Sequence, residues 1–399
     1  MLLENNPYPQ DIRVRREAEA LARAGHTVRV VAPRAVGQSR TETIAGVAVR
    51  RFRAPEGRAG AASILLEYVV ATLQLHSAAV RALAGGATTL HLHNPPDLLA
   101  GVGMLARLLG RRVVFDHHDL FAELVGAKGG GRALMTIARA AERCTFAVSD
   151  LVLSTNQSLA EIARTRGGVA EGRVVVVRNG PPAAWLRHAT PIRPGRLDDP
   201  HLVYVGAISA QDGVQQLAEV LHLLIEVHGL RGARLTIVGD GDARPAVEHA
   251  VLHAGVRSSV DWVGWVPVEQ IPAQLAAADI CIDPAPPSSL NHRSTMIKVA
   301  EYLAAGRPVV AYSLLETTRT LAGAGVVVAP GDVVELAAAC ARLACDGSQR
   351  VELAAAARER AAALTWEHSE RALLGAYEAL SPRRRPAGPR CLGRRTNSV

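Results

Sequence analysis

Residues 284–310 read PAPPSSLNHRSTMIKVAEYLAAGRPVV. An apolar strand, Ile280–Asp283, runs into this Pro/Ser/Asn loop, and a helix is expected from about Met296, with Ser294 and Thr295 offering side-chain caps. Gly306 and Pro308 stop the helix, and Val309–Tyr312 resumes as strand. Lys298 and Glu301 lie three apart and so face roughly the same way. A strand, a loop, a helix start and a second strand form the repeating unit of a parallel sheet. A helix N-terminus beside a lysine suits an anionic ligand, because free N–H groups and the helix dipole both favour negative charge there. An ordinary αβ unit would show most of the same features.

The same alternation extends outward in both directions. Downstream of residue 200 the expected strands are His201–Val205, Arg234–Val238, Val260–Val263, Ile280–Asp283, Pro308–Tyr312 and Val326–Val328, separated by helical stretches. Upstream they are Thr27–Ala32, Val47–Phe52, Thr88–His93, Arg112–Asp116, Leu151–Ser154 and Arg173–Arg178. Met1-Leu2-Leu3 reads as the last residues of a strand that begins upstream. The stretch ATPIRPGRLDDP at 189–200 interrupts the pattern with Pro, Gly and charge, and reads as a linker. The fold class is therefore α/β, with two Rossmann-like doubly wound domains, 1–188 and 201–365, facing a central cleft. A final amphipathic helix covers 366–381, and 382–399 is a basic tail expected to be disordered.

The chain of 399 residues carries a net charge of +8, but six arginines fall in the last 18 residues, leaving about +2 for the rest. That distribution gives the body no signature of a nucleic-acid-binding protein. The five cysteines show no CxxC and no His/Cys metal spacing, which argues for a reducing compartment. Neither a signal peptide nor an apolar run of the ~18 residues needed to span a bilayer is visible. A cytoplasmic protein, at most peripheral to a membrane, is expected.

Taken together, NPYPQDIRVRREAEALARAGHTVRVVAPR, HLHNPPDLLAG, VVFDHHDLFAEL, LSTNQSLAEIA, VVVVRNGP, VGDGD, DWVGWVP and STMIKVAEYLAAGRPVVAY resemble, in order and spacing, the family 4-type glycosyltransferases of the GT-B fold. The likeness spans about Met1 to Leu380 and is strongest to the bacterial branch building surface polysaccharides, including N-acetylfucosamine transferases. It implies retaining transfer of a hexosyl or N-acetylhexosaminyl group from a nucleotide diphosphate sugar, UDP-linked, to a saccharide or lipid-linked saccharide. No cofactor or metal is implied. A lipid-linked acceptor would bring the protein to the inner membrane face.

The resemblance also assigns residues. Lys298, Arg293 and the helix start at Ser294, Thr295 and Met296 would meet the diphosphate, whose charge grows as the glycosidic bond breaks. Glu301 would accept from the ribose, Val266 would meet the base by its backbone, and Asn291, Gly206 and Arg13 would complete the donor site. His118 would hydrogen-bond the donor sugar. His91, His93, Asn94 and Asp119 are weaker acceptor-side candidates. The run Asp116-His117-His118-Asp119 could suggest metal, but adjacent residues converge poorly on one ion. The sequence departs from the family at three places: Arg293 replaces a glutamate, and Ala207 and Asp212 replace a basic pair. A nucleotide-sugar epimerase of the same fold, or an inactive nucleotide-sugar-binding protein, remains open as an alternative.

Overall fold

A computed structural model describes residues 1–4, 6–53, 61–95, 97–127, 129, 131–188 and 190–380. The basic tail at 382–399 lies outside the described residues. Seven strands belong to the first half of the chain: β1 (Arg29–Pro33), β2 (Thr41–Ile44), β3 (Val47–Phe52), β4 (Thr89–His93), β5 (Arg112–His117), β6 (Leu151–Ser154) and β7 (Val174–Val176). Six follow in the second half: β8 (His201–Val205), β9 (Arg234–Val238), β10 (Val260–Gly264), β11 (Ile280–Asp283), β12 (Val309–Tyr312) and β13 (Val326–Val328).

The first half pairs β2-β3-β1 and β4-β5-β6-β7, and Leu2 bridges the two sets by pairing with both Val31 of β1 and Leu92 of β4. Every pairing except β2 with β3 is parallel. The second half is an all-parallel sheet in the order β10-β9-β8-β11-β12-β13. Its central strand β8, HLVYV, is buried at every position, as expected for a strand covered by helices on both faces. Asp11 caps the helix Ile12–Arg23 by accepting from the Val14 amide at 2.9 Å, which turns Val14, Ala18 and Leu21 into the first core. Among the described residues no helix is long and apolar enough to cross a membrane.

One local expectation is corrected, and the placement of the final helix adds to what the sequence showed. The helix after the Pro-rich loop begins at Ile297 with Met296 as its N-cap, and no side chain caps it. Ser294 instead donates its hydroxyl to the Leu290 carbonyl at 2.9 Å, while Thr295 accepts from Asn156. The final helix, Trp366–Ala379, does not stay with the second domain that precedes it. It crosses back and buries Trp366, Leu373 and Ala376 in the core of the first. Gly180 permits the crossing, since a Cβ there would lie 1.7 Å from the Leu364 carbonyl oxygen.

Trp366 is 6% exposed in that interface. Trp366→Ala is expected to cost about 3–5 kcal/mol in chemical denaturation; a loss below about 1 kcal/mol would contradict helix docking as described.

Candidate active site

On the second domain the strand ends are lined by glycines that side chains could not replace. Gly206 follows β8 at φ 151°, and a Cβ there would come within 2.7 Å of Lys298 Cε. Gly239 follows β9 at φ 138°, and its Cβ would meet the Gly206 carbonyl oxygen at 1.9 Å. The backbone therefore closes tightly around one side chain, Lys298, which is 6% exposed. Its Nζ lies 2.5 Å from Asp212, 3.6 Å from Asp283 and 5.0 Å from the centre of the Tyr204 ring. Burial opposes the ammonium charge, but Asp283 and Asp212 outweigh it and hold Lys298 protonated well above its ordinary range. Asp212 is thus the counter-ion of Lys298 in the position where a basic residue was expected by resemblance.

Glu301 stands half-buried on the same helix. Burial pushes its carboxyl up to about 7 against the pull of Arg16 and Lys298. Arg293 is exposed and donates to the Ser289 carbonyl at 3.1 Å. Asn291 is buried and staples the loop, giving its amide hydrogens to the carbonyls of Gln211 and Pro286 at 2.9 and 2.8 Å. Both of its donors are consumed, so a direct donor contact by them is excluded in this arrangement. Met296 is buried in the core, and Val266 follows β10 beside the 76%-exposed Trp265.

On the first domain the sequence assignments divide. Arg13 is 6% exposed and forks onto Asp116, Nε to Oδ2 at 2.7 Å and Nη2 to Oδ1 at 2.6 Å, while Nη1 donates to the Val177 carbonyl and Asn179 at 2.8 and 2.9 Å. This consumes the guanidinium, and the expectation that Arg13 reaches a diphosphate is corrected. His91 and His93 are likewise buried rather than facing an acceptor. His91 shares a hydrogen bond with Tyr377 of the final helix at 2.8 Å, and His93 Nδ1 donates to Asp116 at 2.9 Å. Asn94 serves as a clamp: its Oδ1 accepts from the backbone amides of His118 and Asp119 at 2.9 and 3.1 Å, and its Nδ2 donates to the Asp119 carbonyl at 2.7 Å.

The clamp leaves His118 at the end of β5 with Asp119 exposed beside it. Burial disfavours the imidazolium, yet Asp116, 3.3 Å from His118 Nδ1, more than compensates and raises the ring to about 9. His118 is thus a cationic group carried by a buried carboxylate that Arg13 already holds in place.

The two halves touch across the cleft. Asn156 accepts from the Leu159 amide with its Oδ1 and reaches across with its Nδ2, donating to the Arg293 carbonyl at 2.8 Å and Thr295 Oγ1 at 2.9 Å. Glu316, fully buried, accepts from the Ser158 amide and hydroxyl at 2.9 and 2.7 Å. Sequence reading missed both; the N-cap position of Asn156 in STNQSLAEI was the available signal.

Ligand atoms of Glu17, His91, His93 and Asp116 lie within 4.8 Å of one another, the one such group among the described residues with the makings of a metal site. Arg13 already fills the charge role of an ion there, binding both Asp116 oxygens and lying 3.0 Å from Glu17. A divalent ion would have to sit beside a buried, fixed cation, at high electrostatic cost.

Residues 10–180 match the glycosyl transferase 4-like domain, and residues 199–346 match glycosyl transferases group 1. Together these cover more than half of the chain, one to each sheet. The chain belongs to this glycosyltransferase family. The family's fold recurs in the sucrose-phosphate synthase of Thermosynechococcus elongatus, with a TM-score of 0.75 at 21% identity over 95% of this chain and 98% of that one. It recurs too in HepE of Anabaena, solved in complex with UDP, at a TM-score of 0.69 and 14% identity over 95% and 99% of the two chains. The alpha-D-kanosaminyltransferase of Streptomyces kanamyceticus is 31% identical over 164 residues, 41% of each chain. The match thus spans less than half of that relative's length.

The two perturbed groups at the cleft set a pH expectation. A carboxylate at Glu301 requires pH above about 7, and an imidazolium at His118 requires pH below about 9. The kcat/KM for donor should therefore rise through the first value and fall through the second. Glu301→Gln should remove the acidic limb and His118→Gln the alkaline one; a flat wild-type profile across both values would contradict these assignments.

Proposed function

We propose that this glycosyltransferase moves a hexosyl or N-acetylhexosaminyl group from a UDP-sugar to a saccharide or lipid-linked saccharide with retention, in surface polysaccharide or glycoconjugate synthesis. The observation that carries the reading is the enclosed Lys298 ammonium against the glycine-lined ends of β8 and β9, with Glu301 on the same helix. A leaving diphosphate gains charge as the glycosidic bond breaks, and a fixed cation in a poorly solvated site stabilises that charge more than water does. Because Gly206 has no Cβ, a phosphate can approach both the backbone and Lys298. Glu301 accepts from the ribose hydroxyls, and Arg293, exposed on the loop, closes over the outer phosphate oxygens.

His118 donates a hydrogen bond to the donor sugar rather than acting as base. The acceptor hydroxyl loses its proton to the leaving phosphate on the same face, which gives retention. No step calls for a metal: Lys298 and the helix start at Met296 supply the positive potential. The complex of Anabaena HepE with UDP, a protein of the same fold, supports the choice of nucleotide. A lipid-linked acceptor would hold the protein at the inner membrane face from the cytoplasm.

Transfer of radiolabelled sugar from a panel of UDP-sugars to saccharide acceptors, in the presence of EDTA, tests the reading. Turnover unaffected by chelation, with an α- or β-linkage matching the donor, is expected. Epimerised donor without transfer would point to an epimerase, and UDP binding without turnover of any donor to an inactive binding protein.

A further inference from the structure

A polar cavity of 570 Å³ lies on the first domain, away from the Lys298 site. Its walls come from β1, β3 and the helix Ala61–Ala84, and it is lined by Arg34, Arg40, Arg50, Arg53 and Arg81, with Arg51 at its base. Among the described residues no carboxylate lines it. Arg51 is accounted for internally: it is 2% exposed, donates to the carbonyls of Tyr8 and Ser39, and pairs with Glu42. Arg34 donates to the Gln38 carbonyl at 2.7 Å. Arg40, Arg50, Arg53 and Arg81 form no ion pair among the described residues.

Among the described residues these four guanidinium groups have no carboxylate partner, so an anion placed between them would be attracted by all four. Guanidinium forks match phosphate oxygens two by two, and a doubly charged group can satisfy several at once. The bland alternative is a solvated basic surface, in which each arginine is screened separately by water and salt.

Position favours the ligand. The cavity lies beside the carboxyl ends of β1 and β3, the same edge of the sheet from which His118 follows β5. The strands between run β3, β1, the Leu2 segment, β4 and β5, all parallel. At about 4.8 Å per strand the cavity stands on the order of 15–20 Å from His118. That is the length of a short saccharide. On the cavity's helical wall, Leu73 lines the cavity along with Arg81 and is 62% exposed, so apolar surface adjoins the charge.

We propose that this arginine-lined cavity binds a phosphate or pyrophosphate group carried by the acceptor, anchoring it while a distant hydroxyl meets the donor sugar. Assigning the anion to an acceptor rests on the transferase reading above; the anion binding does not. Two sources share this chemistry, a soluble sugar phosphate and a lipid-linked pyrophosphate.

The test uses the full chain saturated with UDP, so that the donor site is blocked, and inorganic pyrophosphate as probe in isothermal titration. Binding is expected, and Arg50→Gln/Arg81→Gln should weaken it by tenfold or more, with UDP affinity and thermal stability unchanged. Arg81→Gln alone, at an exposed helix position, should give a smaller loss and serves if the double variant is unstable. Failure of pyrophosphate to bind the UDP-saturated chain, or equal binding by the double variant, would overturn the proposal. Loss of UDP binding in the wild type would instead sink the donor reading and leave the anion site to stand on its own titration. Sedimentation with phosphatidylcholine vesicles containing phosphatidylglycerol separates the sources. Arginine-dependent vesicle binding together with pyrophosphate binding supports a lipid-linked acceptor, and pyrophosphate binding alone supports a soluble one. Vesicle binding without pyrophosphate binding means a membrane-facing patch and overturns the cavity as a phosphate site.

Discussion

A buried lysine between two carboxylates organises the second domain. Taking an ammonium out of water costs several kcal/mol unless it is paired and hydrogen-bonded, and Lys298 is paired twice, with Asp212 from the loop after β8 and Asp283 from the end of β11. The constraint spreads outward. Gly206 must lack a side chain because Lys298 passes where a Cβ would be, and Gly239 because Gly206 then fills its space. Tyr204 lies under the ammonium and gives its hydroxyl to the Ala207 carbonyl at 2.6 Å, fixing the turn. The result is a strand-end cradle whose lysine is already ion-paired before any ligand arrives.

The first domain solves a similar problem with an arginine. Arg13 holds Asp116, Asp116 holds His93 and His118, and Asn94 fixes the backbone that carries His118. In both domains a buried ion pair sits one layer behind the surface and a titratable group stands at the rim: Glu301 in one, His118 in the other. The final helix supports the first domain's system, since Tyr377 reaches His91 from a segment that follows the entire second domain.

Apart from β2, an exposed edge strand that was not expected, the alternation of strands and helices was legible, because apolar and β-branched runs such as Thr27–Ala32 and Arg234–Val238 read as strands of a parallel sheet. The linker showed itself by composition. Lys298 and Glu301 could be singled out because residue type and position at a helix start are local properties, and the family resemblance added His118 and Gly206. Charge partnership is not local. Nothing in the sequence joins Arg13 to Asp116, 103 residues later, or Asp212 to Lys298, 86 residues later. Reading Asp212 as a lost base was therefore incomplete: its carboxylate is the counter-ion that lets Lys298 be buried. The return of the last helix was invisible for the same reason, because amphipathicity says that a face is covered but not by which domain.

If the Lys298 ammonium is what the diphosphate meets, Asp212 competes with the donor for it. Titration of UDP into wild type and Asp212→Asn by calorimetry tests that competition most directly. Tighter binding by the variant is expected, by about tenfold or 1.4 kcal/mol, since a negative charge leaves while Lys298 keeps Asp283. Equal or weaker UDP binding by a folded Asp212→Asn protein would contradict it and remove Lys298 from the donor site.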